Sequence, residues 1–208
     1  MTDRPEFPTR RKRAWLRYVA IGVAALVFLL GASVLVAKRM SDGPLTEMIP
    51  GGALQAGPLE AGAGLAAALT CGTVVCPKTS TIELELVGPA TSRYTGIMVH
   101  DGQVYIPCDL GFMWGRFTGT TRSILHLIYL FKHWHEDALQ DGRVVIRAGG
   151  KRYEGQAVKV TDPSLDTALR SQLEEMAKVW VAPDTLGPPP TEPPNDIWFF
   201  RIDPRGAS

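Results

Sequence analysis

Residues 18–37, YVAIGVAALVFLLGASVLVA, carry no charged side chain across 20 positions. At about 1.5 Å of rise per residue, a helix of this length spans roughly 30 Å, the thickness of a bilayer's hydrocarbon core. A soluble core helix that long shows a polar face, and this stretch has none. The sequence therefore predicts a transmembrane helix over 18–37 behind a basic tail over 1–17. Arg4, Arg10, Arg11, Lys12, Arg13 and Arg17 precede the span, whereas only Lys38 and Arg39 follow it closely. That bias keeps the N-terminus in the cytoplasm and places the rest of this single-pass chain in the periplasm or outside the cell. A cleaved signal peptide is the rival reading, because Leu35-Val36-Ala37 loosely resembles a small-residue cleavage site. The span is long for a signal segment, and Leu35 and Lys38 make a poor site. An uncleaved anchor is the expectation, with the membrane as partner.

The net charge of +1 hides an asymmetry. Residues 1–39 hold eight basic and two acidic side chains, and the remaining 169 hold 14 and 19. The exported part is thus near −5. An acidic domain without a basic stripe excludes nucleic acid as a partner. Cys71 and Cys76 stand five apart in TCGTVVCPK, and Cys108 lies in YIPCD. An exported location permits a disulfide, and 71–76 closes a short loop. The alternative is three buried thiols. The spacing is not that of a CxxC redox motif. Three cysteines without a nearby histidine do not complete a zinc site.

Residues 38–70 are rich in Gly, Ala and Pro and read as a flexible tether or a loosely helical juxtamembrane segment. The globular domain is expected over 71–208. TIELELV alternates, with Ile82, Leu84 and Leu86 on one face and Glu83 and Glu85 on the other, which predicts a half-buried strand. Asp101-Gly102 between two β-rich runs predicts a hairpin. Residues 122–140 fit a helix with Leu127, Phe131, Trp134 and Ala138 on one side, ended by Asp141-Gly142. RVVIR and KRYEGQAVKVTD follow as strands joined at Gly149-Gly150. Asp162-Pro163 predicts an N-cap with proline at the first helical position. That helix runs to about Trp180, and DIWFFRID is a last strand. The order β-β-β-α-β-β-α-β indicates an α+β fold around an antiparallel sheet or small barrel.

The window HWHEDALQDGRVVIRAGGKRY, residues 133–153, concentrates histidines and carboxylates. In a helix His133 and His135 point about 200° apart, so they do not chelate one ion together. The i, i+4 histidine pairing of HExxH is absent. No metal ligands are assigned, and no catalytic residue is assigned. Residues 134–146, WHEDALQDGRVVI, are instead similar to the W-x-x-N-L-x-x-N-P-x-V-x-V passage of deazaflavin-dependent nitroreductase-like proteins, within the FMN-binding split-barrel class. TSRYTG, residues 91–96, resembles that family's G-R-x-[ST]-G, and the segment from Gly149 onward resembles its paired strands and following helix. Asp137 stands where the family has Asn, and Gly142 where it often has Pro. The resemblance covers about residues 80–203 and implies a split β-barrel.

It also implies FMN or a deazaflavin as cofactor, with Arg93, Thr95 and Gly96 meeting a phosphate. Arginine and hydroxyl donate to the anion, and glycine admits close approach. Lys151 and Arg152 are further cationic candidates on a neighbouring hairpin. The plainer reading makes Arg93 a surface turn residue and Lys151-Arg152 a solvated strand start, with no cofactor at all. Phe112, Trp114 and Phe117 in GFMWGRF suit a lid, a membrane contact or a barrel plug. The apolar run 124–131 exceeds one buried face and suggests a homodimer contact. Two functions stay open: an anchored flavin- or deazaflavin-dependent oxidoreductase acting on a small organic substrate, or a non-catalytic split-barrel module that binds a ligand or partner.

Overall fold

A computed structural model describes residues 9–46, 49–71, 74–75, 81–110, 133–180 and 196–206. The chain forms two compact units, Met1–Met40 and Ser41–Ser208. In the first, helix α1 (Thr9–Met40) runs for 32 residues, beyond both predicted ends of the apolar span. Its Trp15–Met40 portion is long and apolar enough to cross a membrane. Lys38 and Arg39 occupy the last turn, where the helix dipole favours cations.

The second unit opens with β1 (Leu59–Glu60), a 3-10 turn (Gly62–Gly64) and α2 (Leu65–Leu69). A small ribbon pairs β2 (Thr70–Cys71) with β3 (Val74–Val75). The main sheet uses β4 (Thr81–Leu86), β5 (Thr91–Gly96), β6 (Met98–His100) and β7 (Gln103–Leu110). Its other strands are β8 (Arg143–Ala148), β9 (Lys151–Lys159) and β10 (Asp196–Pro204). Their spatial order is β5-β4-β8-β9-β10-β7-β6, antiparallel throughout, and β1 adds to β9 in parallel.

Strands β5 and β6 stand at opposite ends of this path, yet only Ile97 separates them in sequence. Seven flat strands would put their outer members about 29 Å apart, and one intervening residue reaches about 7 Å. The sheet therefore has to curl until its ends approach, giving a half-barrel with an inner face. Tight turns make this continuous. Asp101 and Gly102 (φ +48° and +73°) join β6 to β7, and Gly149 and Gly150 (φ +57° and +78°) join β8 to β9. Left-handed pairs of this kind match strand twist, as the Asp-Gly expectation required.

The inner face is apolar. Ile82, Leu84 and Leu86 of β4 point inward with Ile106, Val144, Ile146 and Phe200, and Trp134 closes over them. Full burial of each such side chain contributes about 1.5–3 kcal/mol. Trp134 opens helix α3 (Trp134–Gln140), which buries Trp134 and Ala138 as the periodicity predicts. Gly142 ends this junction tightly, since a Cβ there would come 2.5 Å from the Ala157 carbonyl oxygen. Helix α4 (Pro163–Trp180) covers the outer face of β6, β7 and β10, packing Leu169 and Leu173 on Met98, Tyr105, Ile197 and Phe199. Asp162 caps it, its Oδ1 accepting from the Ser164 N–H at 2.8 Å.

Within the segment 38–70 the flexible reading gives way to a docked one. Residues 41–46 and 49–60 lie on the outer face of β5, β4, β8 and β9. Gly51 and Ser92 exchange backbone hydrogen bonds of 2.9 and 3.2 Å. The Leu54 N–H donates to Glu85 Oε2 at 2.8 Å, and Arg147 Nη1 reaches Asp42 at 2.9 Å. Leu54, Leu65 and Leu69 are buried. Composition indicated low apolar content, but backbone hydrogen bonds and ion pairs hold this strap, and composition does not report those. The predicted Cys71–Cys76 bridge, the aromatic loop 111–117, the first part of the helix over 122–132 and the apolar run 124–131 lie outside the described residues.

Candidate functional site

Strand β5 sets the orientation of the first candidate. Arg93 pairs with Leu84 and Thr95 with Ile82, so both side chains share the inner face, while Ser92 and Tyr94 turn outward. The register row of Arg93 continues through Ile146 to Tyr153, both buried. Its guanidinium carbon lies 5.8 Å from the centre of the Trp134 ring, within cation–π range. Its Nε is fully buried and has no hydrogen-bond partner among the described residues. Burial lowers the Arg93 pKa, and the nearby Asp137 and Cys108 act in the opposite sense. Arginine nonetheless stays protonated. A buried donor left unsatisfied costs about 1–3 kcal/mol, so this nitrogen invites an acceptor.

The same end of the inner face carries a second aromatic group. Cys108 of β7, a buried cysteine, stands opposite Trp198 of β10. Lys159 pairs with Phe200, two residues from Trp198, and so points to the same side. Its Nζ sits 3.2 Å from the Trp198 ring centre, and the His135 ring meets that indole edge-on at 5.1 Å. Trp134 packs against Phe200 at 5.3 Å. Helix α3 thus lies across β10 with successive residues on alternate inward positions. Two cations, Arg93 and Lys159, and two indoles face one end of the half-barrel, with Asp137 as the opposing charge. Such a set suits a planar ligand that bears a negative group, since indoles stack and cations donate charge-assisted hydrogen bonds.

The other sequence candidates fall elsewhere. Thr95 Oγ1 lies 3.4 Å from the Gly96 carbonyl oxygen. A Cβ at Gly96 would meet nothing within 4 Å, so no neighbour among the described residues requires glycine there. Lys151 Nζ is 3.2 Å from Glu60 Oε1. Arg152 donates from Nε to the Gly57 carbonyl at 3.0 Å and from Nη1 to the Leu54 carbonyl at 2.8 Å, fastening the strap. It shares an outer row with Arg147 and Glu83, on the face opposite Arg93. The plainer reading of Arg93 as a surface turn residue is corrected, because it is an inward strand residue. Sequence reasoning passed over Lys159, Trp198 and the Trp134–Arg93 contact. Parity along each strand was readable, but which strands adjoin was not.

Among the described residues, no group of three or more His, Cys, Asp or Glu side chains is placed to hold a metal. The chain is similar to a solved Listeria innocua protein provisionally named a pyridoxamine 5′-phosphate oxidase, at 16% identity and a TM-score of 0.39. That alignment covers 68% of this chain and 91% of the other. A likeness of this degree assigns no residue a role. No protein-family model matches the sequence, and no curated protein matches it.

Proposed function

We propose that this chain is a membrane-anchored split-barrel domain that binds a flavin or deazaflavin against Arg93 and acts as an oxidoreductase on a small organic substrate. The observation that carries the reading is the buried Nε of Arg93, without a hydrogen-bond partner among the described residues, beside the Trp134 ring. An anionic group of the ligand would accept from Arg93, and the planar ring would lie toward the indoles. When bound, a flavin supplies electron or hydride transfer; the residues here supply binding, orientation and exclusion of water. The family pattern around residues 91–96 and 134–146 supports the same assignment. In this reading the N-terminus is cytoplasmic, the domain is exported, Thr95 and Gly96 border the anion, and Lys151 and Arg152 support the strap beneath. The homodimer rests on the apolar run 124–131, and light scattering of the purified chain tests it.

One observation favours the non-catalytic alternative. Asp137 already opposes the charge of Arg93 from helix α3, so the pair also serves as a helix–sheet junction. Titrating the full chain in nanodiscs with FMN and with a deazaflavin separates the two. The oxidoreductase reading expects saturable fluorescence quenching that Arg93→Met abolishes. No quenching with either ligand, or quenching indifferent to Arg93→Met, leaves the module as the function.

A further inference from the structure

On the sheet face opposite Arg93, a cavity of about 300 Å³ opens over the row formed by Tyr94, Glu83 and Arg147. Thr81, Ile82, Ala148 and the Gly149–Gly150 turn complete its lining. Ligand pockets run from about 300 to 1,000 Å³, so this one suits a single small ring system.

The lining selects against ions. Arg147 commits Nη1 to Asp42 at 2.9 Å and Nη2 to Glu83. Burial pulls the Arg147 pKa down, but those two carboxylates outweigh it and the net shift is upward. An anion finds its terminal nitrogens occupied, and a cation finds Glu83 already paired. What remains is one carboxylate oxygen, two hydroxyls and the apolar surface of Tyr94, Ile82 and Ala148. Glu83 keeps Oε1 as an acceptor, because its ion pair uses Oε2. Thr81 and Tyr94 add hydroxyls that both donate and accept. Tyr94 is 39% exposed and offers a ring face at the wall. A Cβ at Gly149 or Gly150 would meet nothing within 4 Å, so the turn leaves its own backbone open to a ligand.

A ring with an apolar face and several hydroxyls matches this combination of aromatic surface, acceptor and hydroxyls. We propose that the cavity binds one ring of a neutral sugar, stacked on Tyr94 and hydrogen-bonded to Glu83. The site is independent of the flavin reading, since it lies on the other face of the sheet.

The test is saturation-transfer NMR on the full chain in nanodiscs, which avoids sugar-headed detergents. Maltotriose, cellotriose and triacetylchitotriose are the probes. At least one should bind with roughly millimolar affinity. Tyr94→Ala should weaken it roughly tenfold, the scale of a lost aromatic contact. The melting temperature should not change, because the ring is half exposed. Glu83→Gln, which keeps the side chain's shape, should weaken binding as well. Failure of all three sugars to bind, binding indifferent to Tyr94→Ala, or competition by tetramethylammonium or inorganic phosphate would each overturn the proposal.

Discussion

Arg93 and Arg152 belong to the same curled sheet and point away from each other. Arg93 shares its register row with Leu84, Ile146 and Tyr153 on the inner face, whereas Arg152 shares one with Arg147, Glu83 and Tyr94 on the outer face. One phosphate cannot be held by both. The inner arginine keeps an Nε–H without an acceptor among the described residues, and the outer one is committed to the strap.

That division predicts opposite behaviour on substitution. Arg93→Met removes a buried cation with an unpartnered N–H and replaces it with an apolar chain of similar length. Loss of an unsatisfied buried donor is favourable, and loss of the charge opposite Asp137 offsets it. Urea midpoints should therefore stay close to the parent's while flavin binding disappears. A large loss of stability would mean that Arg93 serves the fold alone.

Arg152→Ala should loosen the strap. It removes hydrogen bonds from a cation to the Leu54 and Gly57 carbonyls, and the part-buried one to Leu54 alone is worth about 1.5–3 kcal/mol. Gly57→Ala should do the same by another route. Its φ is +96°, and a Cβ would come 2.4 Å from the Gly150 carbonyl oxygen, so more than about 1 kcal/mol should be lost. Limited proteolysis should cut both variants between residues 41 and 60, where the parent resists. Equal resistance would show that the apolar contacts of Leu54 suffice.

Acid should unfold the domain through a small set of carboxylates. The Gln55 N–H and Arg147 hold Asp42 below its usual 3.8, and Ser164 does so for Asp162. The Arg143 guanidinium brings Asp141 down to about 2. Groups lowered by folding contribute stability above the ordinary carboxylate range and lose it as pH falls through their folded values. Denaturation midpoints should drop between about pH 4 and pH 2. Glu85 has the reverse sign: burial raises it above 4.5, against the Leu54 N–H and Arg152, so its penalty appears as pH rises through the folded value. Glu85→Gln should accordingly compare better with the parent at pH 7 than at pH 4. A difference independent of pH would remove Glu85 from the account.

Trp134→Ala should cost about 3–5 kcal/mol, as truncation of a buried large aromatic does. Its neighbour should be nearly silent. The His133 side chain is 63% exposed and only 3.6 Å from Glu136, so His133→Gln should stay within about 0.5 kcal/mol. Thermal melts of the two variants check the pair, and similar losses would contradict the packing of α3.

Membrane attachment is the expectation that the length and apolar character of α1 carry. The full chain should sediment with membranes and resist extraction by salt or alkali, and a C-terminal reporter should be active outside the cytoplasm. Release of a soluble form beginning near Lys38 would identify the helix as a signal segment.

Sequence alone determined what is local. The uncharged run 18–37 required a long apolar helix, because no polar face exists to solvate it. The alternation in TIELELV set which residues of β4 face inward, Asp101-Gly102 and Gly149-Gly150 set the turns, and Asp162-Pro163 set the start of α4. Tertiary structure decided what depends on closure and register. Strand parity assigns a face but not a partner, so the meeting of Arg93 with Trp134, and of Lys159 with Trp198, exists only once seven strands have curled. The strap shows the same limit from the other side. Its Gly, Ala and Pro content signals a chain with little apolar surface to bury, yet Asp42, Leu54 and Gly51 find Arg147, Glu85 and Ser92 on a face that no local pattern describes.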